Sequence, residues 1–434
     1  MSTYSAHGSE AASWWNEHSS AAVSLAVECP YYWGRAMNKV FGGDYALNNA
    51  FAMASCYESA QQMLTGTTTS STMATATAVN GTGHHDTHAM PPLFVQEACW
   101  RYNKMKRSEL DNDPYVVDFC RGLSEGQKES LRPAGSIHAS SITTACQVFW
   151  QEALGEEMPP TSIQDADIYE HSDFPGLQII PQLLPLSAQI LFVSQVMHTN
   201  LANPSHKTNL ATDYDLTYPS SNPPYRSLFT YGPTNTHAVP KTPATPPLNM
   251  SQYLSRKLRW LTLGTQYDWP TRSYPRTSAT PFHAPLSRLV TSLFPHIRPE
   301  SGVCLLYGSK DLMPVHRDVS EQCQRALASF SFGCDGIFVL ARGNEDVEDE
   351  EEKRRRVLVI RVRSGDCVHL DGEARWAWHA MPRTIAGTAP KGLAEWPVGT
   401  QGEGVTEAER RAYEKWKGYM GSKRLNVSCR QVWD

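Results

Sequence analysis

The chain has 434 residues, 41% of them hydrophobic and 19% charged, with a formal net charge of −5. That length can bury at least one large core with additions to it, and no run of about 18 apolar residues offers a membrane span. Residues 251–434 hold 27 Lys+Arg against 22 Asp+Glu, a net of +5, and residues 1–250 hold 12 against 22, a net of −10; a mildly basic C-terminal half suits a polyanionic partner without requiring one.

Residues 1–64 contain Trp14, Trp15, Tyr31, Tyr32 and Trp33 without a clear period, and are read as an N-terminal extension of unknown role. The first basic residue is Arg35, after Glu10 and Glu17, a pattern unlike a secretory signal or an Arg-rich transit peptide. The expected location is intracellular, in nucleus or cytoplasm, with the mitochondrion left open. Residues 65–90 form a low-complexity linker, as in Thr67-Thr68-Thr69-Ser70-Ser71-Thr72, whose composition cannot bury enough surface to order itself. Its tail, His84-His85-Asp86-Thr87-His88, has metal-ligating residue types, but a loose polar tract offers no fixed geometry and is read as exposed chain.

Ordered structure is expected from Pro91. Phe174–Pro181 reads as a short strand, and Leu186–His198 as a helix, with Leu186, Ile190, Val193 and Met197 at helical spacing. The Asn/Thr/Ser/Pro-rich stretch near 202–247 predicts a long irregular loop. Short β-rich runs then follow in series: Val303–Tyr307, Ala326–Phe332, Gly336–Ala341, Val357–Val362 and Cys367–Leu370, a pattern of a sandwich or jelly roll. The charged run Glu345–Arg356 predicts a solvated hairpin loop, and a last helix (Thr406–Tyr419) precedes a last strand (Arg424–Val432). Ten cysteines between Cys29 and Cys429 include no CxxC pair, which favours free thiols over a disulfide framework or a cysteine zinc site.

Three segments carry chemistry. In His316-Arg317-Asp318 the two outer side chains point to one face of an extended chain. His379 follows about 60 residues later, and two histidines with one carboxylate can occupy one face of Fe(II), leaving the opposite positions for cofactor and oxygen. On the last strand, Arg424, Asn426, Ser428 and Arg430 share a face, a polar stripe that an ordinary core does not tolerate. An exposed edge strand would present the same pattern; a dicarboxylate cofactor would give the guanidinium a partner.

Taken in order, His316-Arg-Asp318, Ser329-Phe-Ser-Phe-Gly333, Ser364-Gly-Asp366, Gly372-Glu-Ala-Arg375, His379-Ala-Met-Pro-Arg383 and Arg424-Leu-Asn-Val-Ser-Cys-Arg430 resemble the blocks of the AlkB family of iron(II)- and 2-oxoglutarate-dependent dioxygenases. Leu258–Trp269 and Phe174-Pro-Gly176 are similar to its homologue 1 branch. The resemblance covers roughly residues 91–434. It implies a mainly β fold with helices (α+β): a double-stranded β-helix, or jelly-roll, dioxygenase core over 255–434, and an N-terminal helical extension of the catalytic domain over 91–254. It also implies that His316, Asp318 and His379 bind Fe(2+). Arg424 would pair with the distal carboxylate of 2-oxoglutarate, Tyr307 and Asn426 would hydrogen-bond it, Arg430 would support its metal-proximal end and Asp318, and Ser329 and Ser428 would line the pocket. Leu305 stands where the family commonly has an Asn, a change expected to weaken cofactor binding without abolishing it.

The implied reaction is oxidative demethylation of methylated DNA or RNA (tRNA among the options) with molecular oxygen, releasing succinate and formaldehyde, by a monomer with no membrane partner. Leu258–Trp269 resembles the substrate-covering lid; there Tyr267 and Trp269 would stack on a base, and Arg272 and Arg276 would meet phosphates. Two alternatives remain at this point: a dioxygenase acting on methylated protein, and a catalytically weak nucleic-acid-binding module.

Overall fold

The computed structural model describes residues 86–269, 271–276, 280–399 and 405–434. The expected N-terminal extension (1–64), most of the linker, and His84 and His85 lie outside the described residues. The linker's described end is tied to the domain: the His88 amide donates to Asp86 at 2.8 Å, and the Arg272 guanidinium donates to the Thr87 carbonyl.

Among the described residues sixteen strands follow in chain order: β1 (Val116–Val117), β2 (Leu131–Ile137), β3 (Ala166–His171), β4 (Phe174–Ile180), β5 (Tyr214–Leu216), β6 (Thr236–Pro240), β7 (Leu248–Asn249) and β8 (Trp260–Gly264). Then come β9 (Ser301–Tyr307), β10 (Met313–His316), β11 (Leu327–Gly333), β12 (Asp335–Ala341), β13 (Val357–Val362), β14 (Cys367–Leu370), β15 (Trp378–Ile385) and β16 (Arg424–Arg430). The jelly-roll core is two sheets: an eight-stranded one ordered β2-β3-β4-β14-β11-β16-β9-β8 and a five-stranded one ordered β1-β13-β12-β15-β10. The larger sheet is antiparallel throughout, so β16, the last strand in sequence, lies at its interior between β11 and β9.

Strand alternation divides the core. Leu177, Tyr307, Leu327, Val368 and Leu370 of the large sheet and Leu340, Leu358, Ile360 and Met381 of the small one form a cluster between the sheets. Phe330, Phe332, Leu425, Val427 and Cys429 face the other way, into a second cluster with helices Ala139–Leu154, Leu186–Ser194 and Ala284–Leu293. On the outer side of the small sheet, Ile337, Val339 and Ala380 pack against Cys99 and Tyr102 of helix Leu93–Lys104. Asp346 caps that helix from a distant loop, accepting from the Leu93 and Phe94 amides.

Some expectations need correction. The stretch 202–247 is not wholly irregular: β5, β6 and β7 form a three-stranded sheet, because Leu210, Leu228, Phe229, Ala238 and Leu248 give it enough apolar surface to dock on the helical cluster. The charged run at 345–356 contains helix Glu350–Arg356 rather than a plain hairpin loop. Its acidic residues fill the first turn and its basic residues the last, opposite to the helix dipole at each end, and Asp349 supplies the N-cap. Helix Leu186–Ser194 continues as a π-helical turn through Asn200, and the last helix is shorter than expected, Glu407–Glu414.

Candidate metal and cofactor site

His316 ends β10 and His379 is the second residue of β15; the two strands are antiparallel neighbours, and these residues are paired in register. Their rings lie 4.2 Å apart between centroids, and Asp318 Oδ2 is 3.9 Å from His379 Nε2. One ligand atom from each of the three residues falls within 4.8 Å of the others, the one such cluster among the described residues. Each ring's Nδ1 faces a main-chain carbonyl, His316 that of Pro314 at 2.8 Å and His379 that of Ala377 at 3.1 Å. Those acceptors place the proton on Nδ1 and leave the Nε2 lone pairs for a cation. Burial, then the neighbouring His316, lower His379 to about 4, which keeps it neutral. Burial alone would raise the Asp318 carboxyl, but Arg430, then His379 and His316, outweigh it and hold it well below the usual carboxylate range.

The polar stripe of β16 points between the sheets. Registers bring Arg424 opposite Tyr307 and Gly333, Asn426 opposite Leu305 and Ser331, and Ser428 opposite Val303 and Ser329. All seven residues of the strand are buried, so the alternative of an exposed edge is excluded. Asn426 donates to Ser329 Oγ at 2.8 Å and to the Phe330 carbonyl at 2.9 Å, and the Ser428 and Ser329 hydroxyls are 3.4 Å apart. Arg430 Nη2 reaches Asp318 Oδ2 at 3.0 Å.

Arg424 is the residue that calls for a ligand. It is 1% exposed, donates to Ser331 Oγ at 3.0 Å, and leaves a buried Nε without a partner. Burial lowers its guanidinium to about 10, still charged at neutral pH; Asp366 and Asp335 attract it, but among the described residues no carboxylate forms an ion pair with it. An uncompensated buried cation costs several kcal/mol, and a dicarboxylate would supply the missing charge and acceptor. Gly336 leaves room for the Arg424 side chain itself: a Cβ there would sit 2.5 Å from Arg424 Nε. Tyr307, 5% exposed, has its ring 5.9 Å from the Arg424 guanidinium, and burial pushes its phenol well up. The donor set therefore fits a divalent metal beside a dianion. Leu305 lies half-buried next to Asn426, a position without a polar group for a cofactor.

The residues expected at a lid form a separate aromatic cluster on and after β8. Trp269 lies 5.1 Å from Trp260 and 4.9 Å edge-on from Tyr267, whose hydroxyl is 3.2 Å from Ser320 Oγ. Trp269 is 44% exposed. Arg276 lies 5.7 Å over the Trp433 ring and donates to Gln322, while Arg272 donates to Thr87. Both arginines thus have partners within the chain. Two residues of the site escape the sequence reading. Ser331 could have been found from Ser329 by strand alternation; Glu321, buried beside Arg430, has no periodic signal.

The class of the chain is the 2OG-Fe(II) oxygenase superfamily, whose family model matches residues 176–430; a second model, a domain of unknown function, matches residues 1–66. The chain is 35% identical over 364 residues to the N6-methyladenosine RNA demethylase ALKB1 of Pyricularia oryzae, covering 80% of this chain and 97% of that protein. It is 38% identical over 230 residues to the N6-methyladenosine RNA demethylase ALKBH of Cryphonectria parasitica, covering 51% and 98%. With the tRNA demethylase abh1 of Schizosaccharomyces pombe it shares 29% over 294 residues, covering 66% and 86%. The chain belongs to the AlkB family within that superfamily, on its homologue 1 branch.

Proposed function

We propose that this chain is an oxidative demethylase of N-methylated adenine in unpaired nucleic acid, RNA in the first place. His316, Asp318 and His379 hold iron(II), and Arg424 holds the distal carboxylate of 2-oxoglutarate. The observation that carries the reading is an open His-Asp-His cluster together with a buried guanidinium on the facing sheet whose Nε has no partner. When bound, iron and 2-oxoglutarate supply the oxidation that hydroxylates a methyl group with oxygen; the hydroxymethyl amine then loses formaldehyde.

The chain's own contribution is placement. Asn426, Ser329 and Ser428 line the space between Arg424 and Arg430, so the cofactor's orientation is fixed by groups on rigid strands. Arg430 holds Asp318 in its ionised form and aimed at the metal. A base stacked within a duplex cannot reach a site between two sheets, so the substrate is a flipped or unpaired nucleotide. The exposed Trp269, backed by Tyr267 and Trp260, offers the stacking surface. Adenine is favoured by the relatives of Pyricularia oryzae and Cryphonectria parasitica, both RNA demethylases of N6-methyladenosine.

The test is formaldehyde release from a panel of single-stranded and duplex RNA and DNA oligonucleotides carrying defined N-methyl bases, with methylated peptides beside them. Release from N-methyladenine RNA above all other members supports the reading. Release from peptides alone would leave the dioxygenase standing and remove the nucleic-acid substrate.

A further inference from the structure

Asp318 is held by more than Arg430. Arg375, 1% exposed, donates through Nη1 to the Asp318 main-chain carbonyl at 2.6 Å and through Nε to the Arg325 carbonyl at 3.2 Å. Between the two arginines stands Glu321, 5% exposed: its Oε2 is 2.9 Å from Arg375 Nη2, and its Oε1 is 2.8 Å from Arg430 Nη1. One carboxylate thereby orients both guanidiniums, one gripping the main chain of Asp318 and the other its side chain.

The charge count gives this arrangement a consequence for metal binding. Without Glu321, two buried guanidiniums would face one carboxylate beside a site for a divalent cation, and the excess positive charge would repel it. With Glu321 the four groups are neutral before a metal arrives. We propose that Glu321 is a positioning residue for the metal site, fixing Arg375 and Arg430 around Asp318 and cancelling the guanidinium charge that would oppose the cation. This rests on the reading of His316, Asp318 and His379 as metal ligands.

A charge-balancing residue has a signature that a merely structural one lacks. Replacing it with a neutral isostere should weaken a cation and leave an anion unharmed, whereas loosened packing weakens both. The experiment uses the full chain, stripped of metal and titrated with Mn(II), then with 2-oxoglutarate at saturating Mn(II) under anaerobic conditions. Glu321→Gln should raise the Kd for Mn(II) about tenfold and leave the Kd for 2-oxoglutarate unchanged or lower. Glu321→Asp, which keeps the charge, should bind Mn(II) more tightly than Glu321→Gln. If Glu321→Gln does not fold, Glu321→Asp carries the test: keeping the charge, it should bind Mn(II) within about tenfold of the parent, and a larger loss would overturn the proposal. Parental Mn(II) affinity in Glu321→Gln, or equal weakening of Mn(II) and 2-oxoglutarate, would also overturn it. Failure of the parent to bind Mn(II), or parental binding by His379→Ala, would instead remove the metal-site reading on which it rests.

Discussion

The interior face of β16 and the segment after β8 both carry arginines, under opposite conditions. Arg424 is sealed between the sheets with an unpartnered Nε and, among the described residues, no carboxylate in ion-pair contact. Arg272 and Arg276 are each already engaged, with the Thr87 carbonyl in one case and Gln322 and the Trp433 ring in the other. An arginine reserved for a ligand is recognisable by burial without a paired carboxylate, a state that an incoming anion relieves. An arginine at a surface with partners of its own can release them to a phosphate at small gain.

Five substitutions sharpen this contrast. Asp318→Ala or His379→Ala should have the largest effect: loss of an inner ligand exceeds the ~10–100-fold that loss of an outer partner costs in metal affinity, and Mn(II) titration reads it directly. Arg424→Ala comes next. It removes the charge pair with the cofactor at about 3–5 kcal/mol, more than a hundredfold in the 2-oxoglutarate requirement, while Mn(II) affinity stays near parental; normal cofactor affinity in this variant would mean that the β16 stripe has been misread. Trp269→Ala should cost about 1–3 kcal/mol of oligonucleotide affinity if a base stacks on that ring. Uncoupled turnover of 2-oxoglutarate, which needs no base, should persist in it. Arg276→Ala should have the smallest effect, a few-fold at low salt and a change of at most about one in the salt slope of binding; a tenfold loss would place the phosphate contact there after all.

How far the sequence led follows from what each residue's role depends on. Strand alternation alone placed Arg424, Asn426, Ser428 and Arg430 on one face, and β16 carries them inward as expected. The strand runs from 303 to 370 were legible for the same reason, since β-rich segments bounded by turns keep their character wherever they pair. Convergence of His316 with His379 was not readable from spacing, because it depends on the register of β10 against β15; there the family resemblance supplied what local chemistry could not. Glu321 stayed hidden because one acidic residue after Asp318 looks like any surface carboxylate until Arg375 and Arg430 are brought to it. The sheet of β5, β6 and β7 was missed because Pro- and Asn-rich composition masked the few apolar residues that dock it.

The measurement that bears most directly on the central claim is stoichiometric product release. Full-length protein with iron(II), 2-oxoglutarate and oxygen, given a single-stranded RNA containing N6-methyladenosine, should yield succinate and formaldehyde in equal amounts. His379→Ala should yield neither, and Arg424→Ala should recover turnover only when 2-oxoglutarate is raised by more than about a hundredfold. Formaldehyde release that survives His379→Ala, or succinate formation with no methylated oligonucleotide ever losing its methyl group, would contradict the account.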